Sequence, residues 1–251
     1  MGQVQIDTEQ MKWLETQGPK EILAWAHKTF GDRVAFASSF GAEDVAVIDM
    51  IASAAPKLRI FTLDTGRLHE ETYDVMERIR VRYGVAIETY FPERGEVESL
   101  ERAKGFHSFR QSIDDRKECC GIRKVKPLKR ALSTVDAWIT GLRREQAVTR
   151  TDLPKAEIDA AFGGILKLNP ISEWTLDETW SYIRTRGIPY NALHDAGFPS
   201  IGCAPCTRAV AAGEDIRAGR WWWETPEQKE CGLHARDAKT AAQGAEVRRV
   251  A

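Results

Sequence analysis

Apolar positions along the chain alternate between two periods. Over 9–30, Trp13, Leu14, Ile22, Leu23 and Trp25 recur at helical spacing, which predicts a helix with one buried face. A short apolar run follows, Val34-Ala35-Phe36-Ala37, ending in Ser38-Ser39-Phe40-Gly41, and a second helical pattern covers 42–55. This is strand, tight turn, helix. The unit recurs with a strand over 58–63, the turn Asp64-Thr65-Gly66 and a helix over 68–83, before a third strand over 85–91. Further strands are expected over 137–142 and 165–168, with a helix over 175–186. Strands alternating with helices predict an α/β fold, a doubly wound and mainly parallel sheet covered on both faces. Beyond Asp195 the pattern is irregular and rich in Gly and Pro, and it ends in the polar tail 238–251. We divide the chain into one α/β domain, 1–212, and a C-terminal segment, 213–251, expected to be mobile.

Composition narrows the classes. The 36 basic and 37 acidic residues nearly cancel, so bulk charge points to neither nucleic acid nor membrane. No apolar stretch approaches a membrane span. Residues 1–10 lack a basic start leading into an apolar run, and Ile6 stands where a myristoylation pattern requires Ser or Thr. A cytoplasmic protein is expected. The five cysteines are an odd number, which argues against a disulfide framework in that compartment.

In open parallel sheets, ligands bind beyond the carboxyl ends of the strands. Ser38-Ser39-Phe40-Gly41 lies at such a junction, where small hydroxyl residues, a glycine and a helix N-terminus suit an anion, or simply form a turn. At the next junction, Asp64 either holds a ribose hydroxyl or caps the following helix.

The cysteines carry the strongest signal. Cys203-Ala204-Pro205-Cys206 sets two thiols to face one metal, and Cys119-Cys120 adds an adjacent pair whose side chains diverge. Divergent thiolates suit the separate iron corners of a [4Fe–4S] cluster better than one tetrahedral ion, although spacing alone leaves zinc open. If the segment after Cys119 is helical, Arg123 and Lys124 lie one turn beyond Cys119 and Cys120. Lys124 could steady the thiolates or link them to an anion. Arg123 reads as part of a solvated basic face continuing through Lys126, Lys129 and Arg130. Cys231 stands apart, between Lys229 and His234, cations that would favour a thiolate. Arg217 and Arg220, three residues apart, can share a face against an oxyanion. Trp221-Trp222-Trp223 reads as packing or a subunit contact.

Together these segments resemble the phosphoadenylyl/adenylyl-sulfate reductase family. The matching residues are Ser38-Ser39-Phe40-Gly41-Ala42-Glu43-Asp44, Leu63-Asp64-Thr65-Gly66 and Gly141-Leu142-Arg143-Arg144-Glu145-Gln146. Ile188-Pro189-Tyr190-Asn191, Leu193-His194-Asp195, Ser200-Ile201-Gly202-Cys203-Ala204-Pro205-Cys206-Thr207 and Glu230-Cys231-Gly232-Leu233-His234 follow in the family's order. Both cysteine pairs place the resemblance with the bacterial assimilatory branch, which acts on adenosine 5′-phosphosulfate.

The resemblance implies a sheet of the adenine nucleotide alpha-hydrolase-like type and a [4Fe–4S] cluster on Cys119, Cys120, Cys203 and Cys206. It implies reduction of adenosine 5′-phosphosulfate to sulfite and AMP through a Cys231 thiosulfonate, in sulfate assimilation and cysteine biosynthesis. Lys124, Arg217 and Arg220 would hold the phosphosulfate with Ser38, Ser39 and Gly41 nearby; Arg143, Arg144 and His234 are additional candidates. Leu63, Asp64, Thr65 and Gly141 would meet the adenosine. Free thioredoxin, or glutaredoxin, is the expected reductant, since no thioredoxin-like domain follows in the sequence, and a homo-oligomer is a further family expectation. Rival readings are a reductase for the 3′-phosphorylated nucleotide, an ATP-dependent RNA thiolase, and a zinc-stabilised nucleotide-binding module. The first turn lacks the Ser-Gly-Gly form of ATP pyrophosphatases, which weighs against the thiolase.

Overall fold

A computed structural model describes residues 6–146, 150–211 and 213–225. The elements are α1 (Thr8–Thr16), α2 (Pro19–Phe30), β1 (Val34–Ser38), α3 (Ala42–Ala54), β2 (Arg59–Leu63), α4 (Glu70–Tyr83), β3 (Ile87–Tyr90) and α5 (Arg94–Lys104). They continue with α6 (Ile113–Cys120), α7 (Lys126–Leu132), β4 (Ala137–Ile139), β5 (Ala156–Asp159), β6 (Ile165–Leu168) and α8 (Leu176–Thr185). The single helix expected over 9–30 is two helices. Gly18-Pro19 divides them, because proline at the first helical position of α2 supplies no amide to a preceding turn.

Six strands form one sheet in the order β3-β2-β1-β4-β6-β5. All neighbours are parallel except β5 against β6. The β5 edge strand was not anticipated; its Glu157 and Asp159 break the apolar run that marks a buried strand.

Alternation along the central strands assigns the two cores. Val34, Phe36, Ile60, Ala137 and Ile139 face one side, with apolar residues of α2, α3, α4 and α8 packed over them. Ala35, Phe61 and Trp138 face the other, under Leu128, Ala131 and Leu132 of α7. A third, smaller cluster gathers Leu100, Phe109, the cysteines at 119, 120, 203 and 206, and Trp221. It lies outside the two sheet faces and joins α6 to the C-terminal loops.

Asp49 locks the first face. Its buried carboxylate accepts from the Tyr83 hydroxyl at 2.9 Å, the Tyr182 hydroxyl at 2.7 Å and Arg186 Nε at 2.6 Å, tying α3 to α4 and to the end of α8. Asp49→Ala strands these donors. We expect a loss of about 3 kcal/mol in urea unfolding, against less than about 1 kcal/mol for Asp49→Asn, which keeps an acceptor.

Candidate active site

Strand order reverses between β1 and β4, and a cavity of about 260 Å³ opens beyond the carboxyl ends of these strands. Ser38, Ser39 and Gly41 line it from the first turn, Leu63 and Thr65 from the end of β2, and Thr140 and Gly141 from the end of β4.

The first turn is shaped by local chemistry. Phe40 holds a φ of 58°, a left-handed conformation unusual for a bulky residue. Its side chain is fully buried, and that packing offsets a backbone cost of about 1–2 kcal/mol. Ser38 Oγ accepts the Phe40 amide at 3.1 Å, while one Asp44 oxygen accepts the Ser39 amide at 2.5 Å and its hydroxyl at 2.7 Å. Gly141 is required by close approach: a Cβ there would stand 2.2 Å from the Asp44 carboxylate.

Burial pushes the Asp44 carboxyl up to about 7, against the opposing hydrogen bonds from Ser39. The sign follows. Between about pH 4 and 7 the unfolded chain loses this proton while the folded chain keeps it, so stability falls as pH rises through the window. Asp44→Asn should become progressively more stable relative to the unsubstituted protein from pH 4 to 7, by up to about 4 kcal/mol. Denaturant titrations at a series of pH values test this; a constant difference would contradict it.

The cavity's other end is cationic. Lys124, Arg217 and Arg220 all line it. Arg220 passes over Gly202, where a Cβ would meet Nη2 at 2.4 Å, and donates to Ser200 Oγ and the Ile201 carbonyl, each at 3.3 Å.

Cys119 and Cys120 end α6, and Cys203 and Cys206 flank a short turn of 3-10 helix. All four are buried free thiols lining one small cavity of about 20 Å³. Among the described residues, no three His, Cys, Asp or Glu side chains are grouped as one metal ion would need. The donor set is four thiols around one small cavity. That arrangement fits a multi-iron group, in which each thiolate has its own iron.

Cations surround these thiols. Arg67, Arg116, Arg123 and Lys124 line the small cavity, and Thr65 Oγ1 lies 3.3 Å from Cys203 Sγ. Burial opposes ionisation of Cys203, but Lys124, the Thr65 hydrogen bond and the two arginines Arg220 and Arg123 bring its thiol below the ordinary range. Burial and the neighbouring Cys203 push Cys206 up to about 12. Lys124, Cys203 and Trp221 line both cavities, so the cysteine group and the large cavity share walls.

Several expectations change. Arg123 is not on a solvated face: it is buried, donating to the Thr65 carbonyl at 2.7 Å and to Glu101 at 2.6 Å. A π-helical turn over Gly121–Val125 joins α6 to α7, and its extra residue per turn alters which positions face inward. Arg144 turns away from the cavity toward the Leu153 carbonyl at 2.8 Å and Glu173 at 3.3 Å. Asp64 also faces elsewhere, accepting from the Tyr73 hydroxyl and the Gly66 amide. It neither caps α4, whose N-cap is His69, nor lines the cavity. Arg143 lines the wall, but Glu43 takes two of its hydrogen bonds, at 2.9 and 2.7 Å. Cys231 and His234 lie outside the described residues.

Arg67, Arg116 and Trp221 were not singled out beforehand as parts of the site. Arg116 alone left a trace, four residues before Cys120 and so on the same helix face. Of the three tryptophans, Trp221 is packing in the cysteine cluster, whereas Trp222 is 38% exposed.

Residues 33–209 match the phosphoadenosine phosphosulfate reductase domain, and the chain belongs to that family. The adenosine 5′-phosphosulfate reductase of Allochromatium vinosum is 51% identical over 206 residues, covering 82% of this chain and 80% of its own length. The solved structure of phosphoadenylyl-sulfate reductase from Candida auris, a phosphate complex, superposes with a TM-score of 0.70 at 28% identity, over 83% of this chain and all of that one. The FMN adenylyltransferase of Candida glabrata shares the fold alone, at 13% identity and a TM-score of 0.54 over 96% of this chain and 85% of that one. The expected adenine nucleotide alpha-hydrolase-like sheet is the one observed.

Proposed function

We propose that this chain reduces adenosine 5′-phosphosulfate to sulfite and AMP with electrons from thioredoxin, as part of sulfate assimilation in the cytoplasm. The observation that carries the reading is Lys124, which stands in the shared wall between a nucleotide-sized cavity at the sheet's switch point and a ring of buried thiols. Ser38 offers a hydroxyl, and the N-terminus of α3 its positive end, to an anion, while Asp44 holds the Ser39 amide and hydroxyl that shape the turn. Leu63, Thr65 and Gly141 flank the space for adenosine.

The Cys231 thiolate attacks the sulfate sulfur, and the bond to the AMP phosphate oxygen breaks. A thiosulfonate remains on Cys231. One thioredoxin thiolate attacks the Cys231 sulfur and releases sulfite; its second thiol resolves the mixed disulfide, so the dithiol supplies both electrons. Charge gathers on peripheral oxygens during the first step, so Lys124, Arg217 and Arg220 contribute by fixed positive charge. Cys119, Cys120, Cys203 and Cys206 would hold a [4Fe–4S] cluster, whose negative charge would face Lys124 and the ion-paired Arg67, Arg116 and Arg123 in the same cavity wall.

Parallel assays of sulfite release with adenosine 5′-phosphosulfate and its 3′-phosphorylated form test the substrate. Preference for the latter would overturn the reading. Iron and acid-labile sulfide analysis on anaerobically purified protein tests the cluster, and zinc with neither iron nor sulfide would reject it.

A further inference from the structure

The segment that brings Arg217 and Arg220 to the large cavity ends at a buried ion pair. Arg116, four residues before Cys120 on α6, donates from Nε to Glu224 at 2.9 Å and from Nη2 at 2.8 Å. The two side chains are 0% and 3% exposed. A bidentate pair closed to water fixes the elements it joins, because removing the guanidinium would leave the Glu224 carboxylate buried without this counter-charge.

From Glu224 back to Arg220 the chain forms one tight turn. The Glu224 amide donates to the Trp221 carbonyl at 2.8 Å, and the Trp221 amide donates to the Cys206 carbonyl at 3.1 Å. Trp221 holds a φ of 39°, a left-handed conformation that a tryptophan keeps only where its surroundings impose it. Its buried ring is flanked by two guanidinium groups, those of Arg116 and Arg220, each with its central carbon 4.8 Å from the ring centroid. A single aromatic ring thus separates the ion pair from the cation that faces the large cavity.

We propose that the Arg116–Glu224 pair is a positioning device for the cavity's anion end. It holds the left-handed Trp221 turn and, through that ring, sets Arg220 against the outer oxyanion of the bound nucleotide. The inference rests on the nucleotide reading given above. Neither Arg116 nor Glu224 lines the large cavity, so substitutions at these positions remove none of its lining side chains.

The experiment compares the affinities of the full chain, cluster loaded, for ADP and AMP. The β-phosphate of ADP would stand where the proposed substrate carries its sulfate, and AMP lacks that group. Glu224→Gln keeps the side-chain shape and removes its charge. ADP binding should weaken about tenfold, AMP binding by less than about twofold, with iron content unchanged. Arg116→Lys keeps the charge without the planar fork and should give a smaller loss with the same ADP selectivity; it carries the test if Glu224→Gln does not fold. Unchanged ADP affinity, or equal losses for both nucleotides, would overturn the inference. If the unsubstituted protein binds neither nucleotide, the reading of the cavity fails, and this inference with it.

Discussion

Cys231→Ser should lower thioredoxin-dependent sulfite release by at least about 10⁴-fold while iron content and AMP affinity stay unchanged. The size follows from chemistry. A serine hydroxyl is almost wholly protonated near neutral pH, and loss of a nucleophile costs enzymes about 10⁴–10⁶ in kcat. Of the other four cysteines, three line only the small cavity; Cys203 borders both, but as a proposed cluster ligand it would not be free to attack. Single-turnover incubation with adenosine 5′-phosphosulfate should load a sulfite-releasing adduct on the unsubstituted protein and none on the variant. A variant that still turns over would transfer the nucleophile's role elsewhere.

Lys124→Ala should lower kcat/KM about 10²–10³-fold, the usual effect of removing one fixed charge from a developing oxyanion. Its place in the wall of both cavities makes a second reading possible, in which the lysine serves only the thiolates. The two separate experimentally. A substrate role lowers kcat/KM at normal iron content; a role confined to the cysteine group lowers iron content in proportion to activity. Lys124→Arg restores the charge with a different shape and should recover only part of the loss.

Much of this molecule is legible without coordinates. Short, near-continuous apolar runs at β1 and β2, each followed by a small-residue turn and a helical pattern, predict parallel strands with a ligand site at their carboxyl ends, because burial on both faces requires such runs. Paired cysteines of an odd total predict a metal group, because thiolates are costly to bury together without one. What was missed is local and polar. The β5 edge strand carries acidic residues on a short run, which no apolar pattern marks. The Gly18-Pro19 break interrupts a helical pattern that is continuous in its apolar positions.

The cysteines and Lys124 return the question to its start. The sequence by itself determined that two cysteine pairs, a phosphate-suited turn and a set of cations occur in one chain, and the i to i+4 spacing related Lys124 to Cys120. Only the tertiary structure decided which cations face what. A π turn altered which residues face inward, burying Arg123; Glu43 engaged Arg143; and Arg144 turned toward Leu153. Helical spacing supplies neighbours along one element. The orientation of a charged side chain depends on partners some 30, 60 or 100 residues distant, as for Arg144, Arg123 and Arg143, which only the packed fold brings within hydrogen-bonding reach.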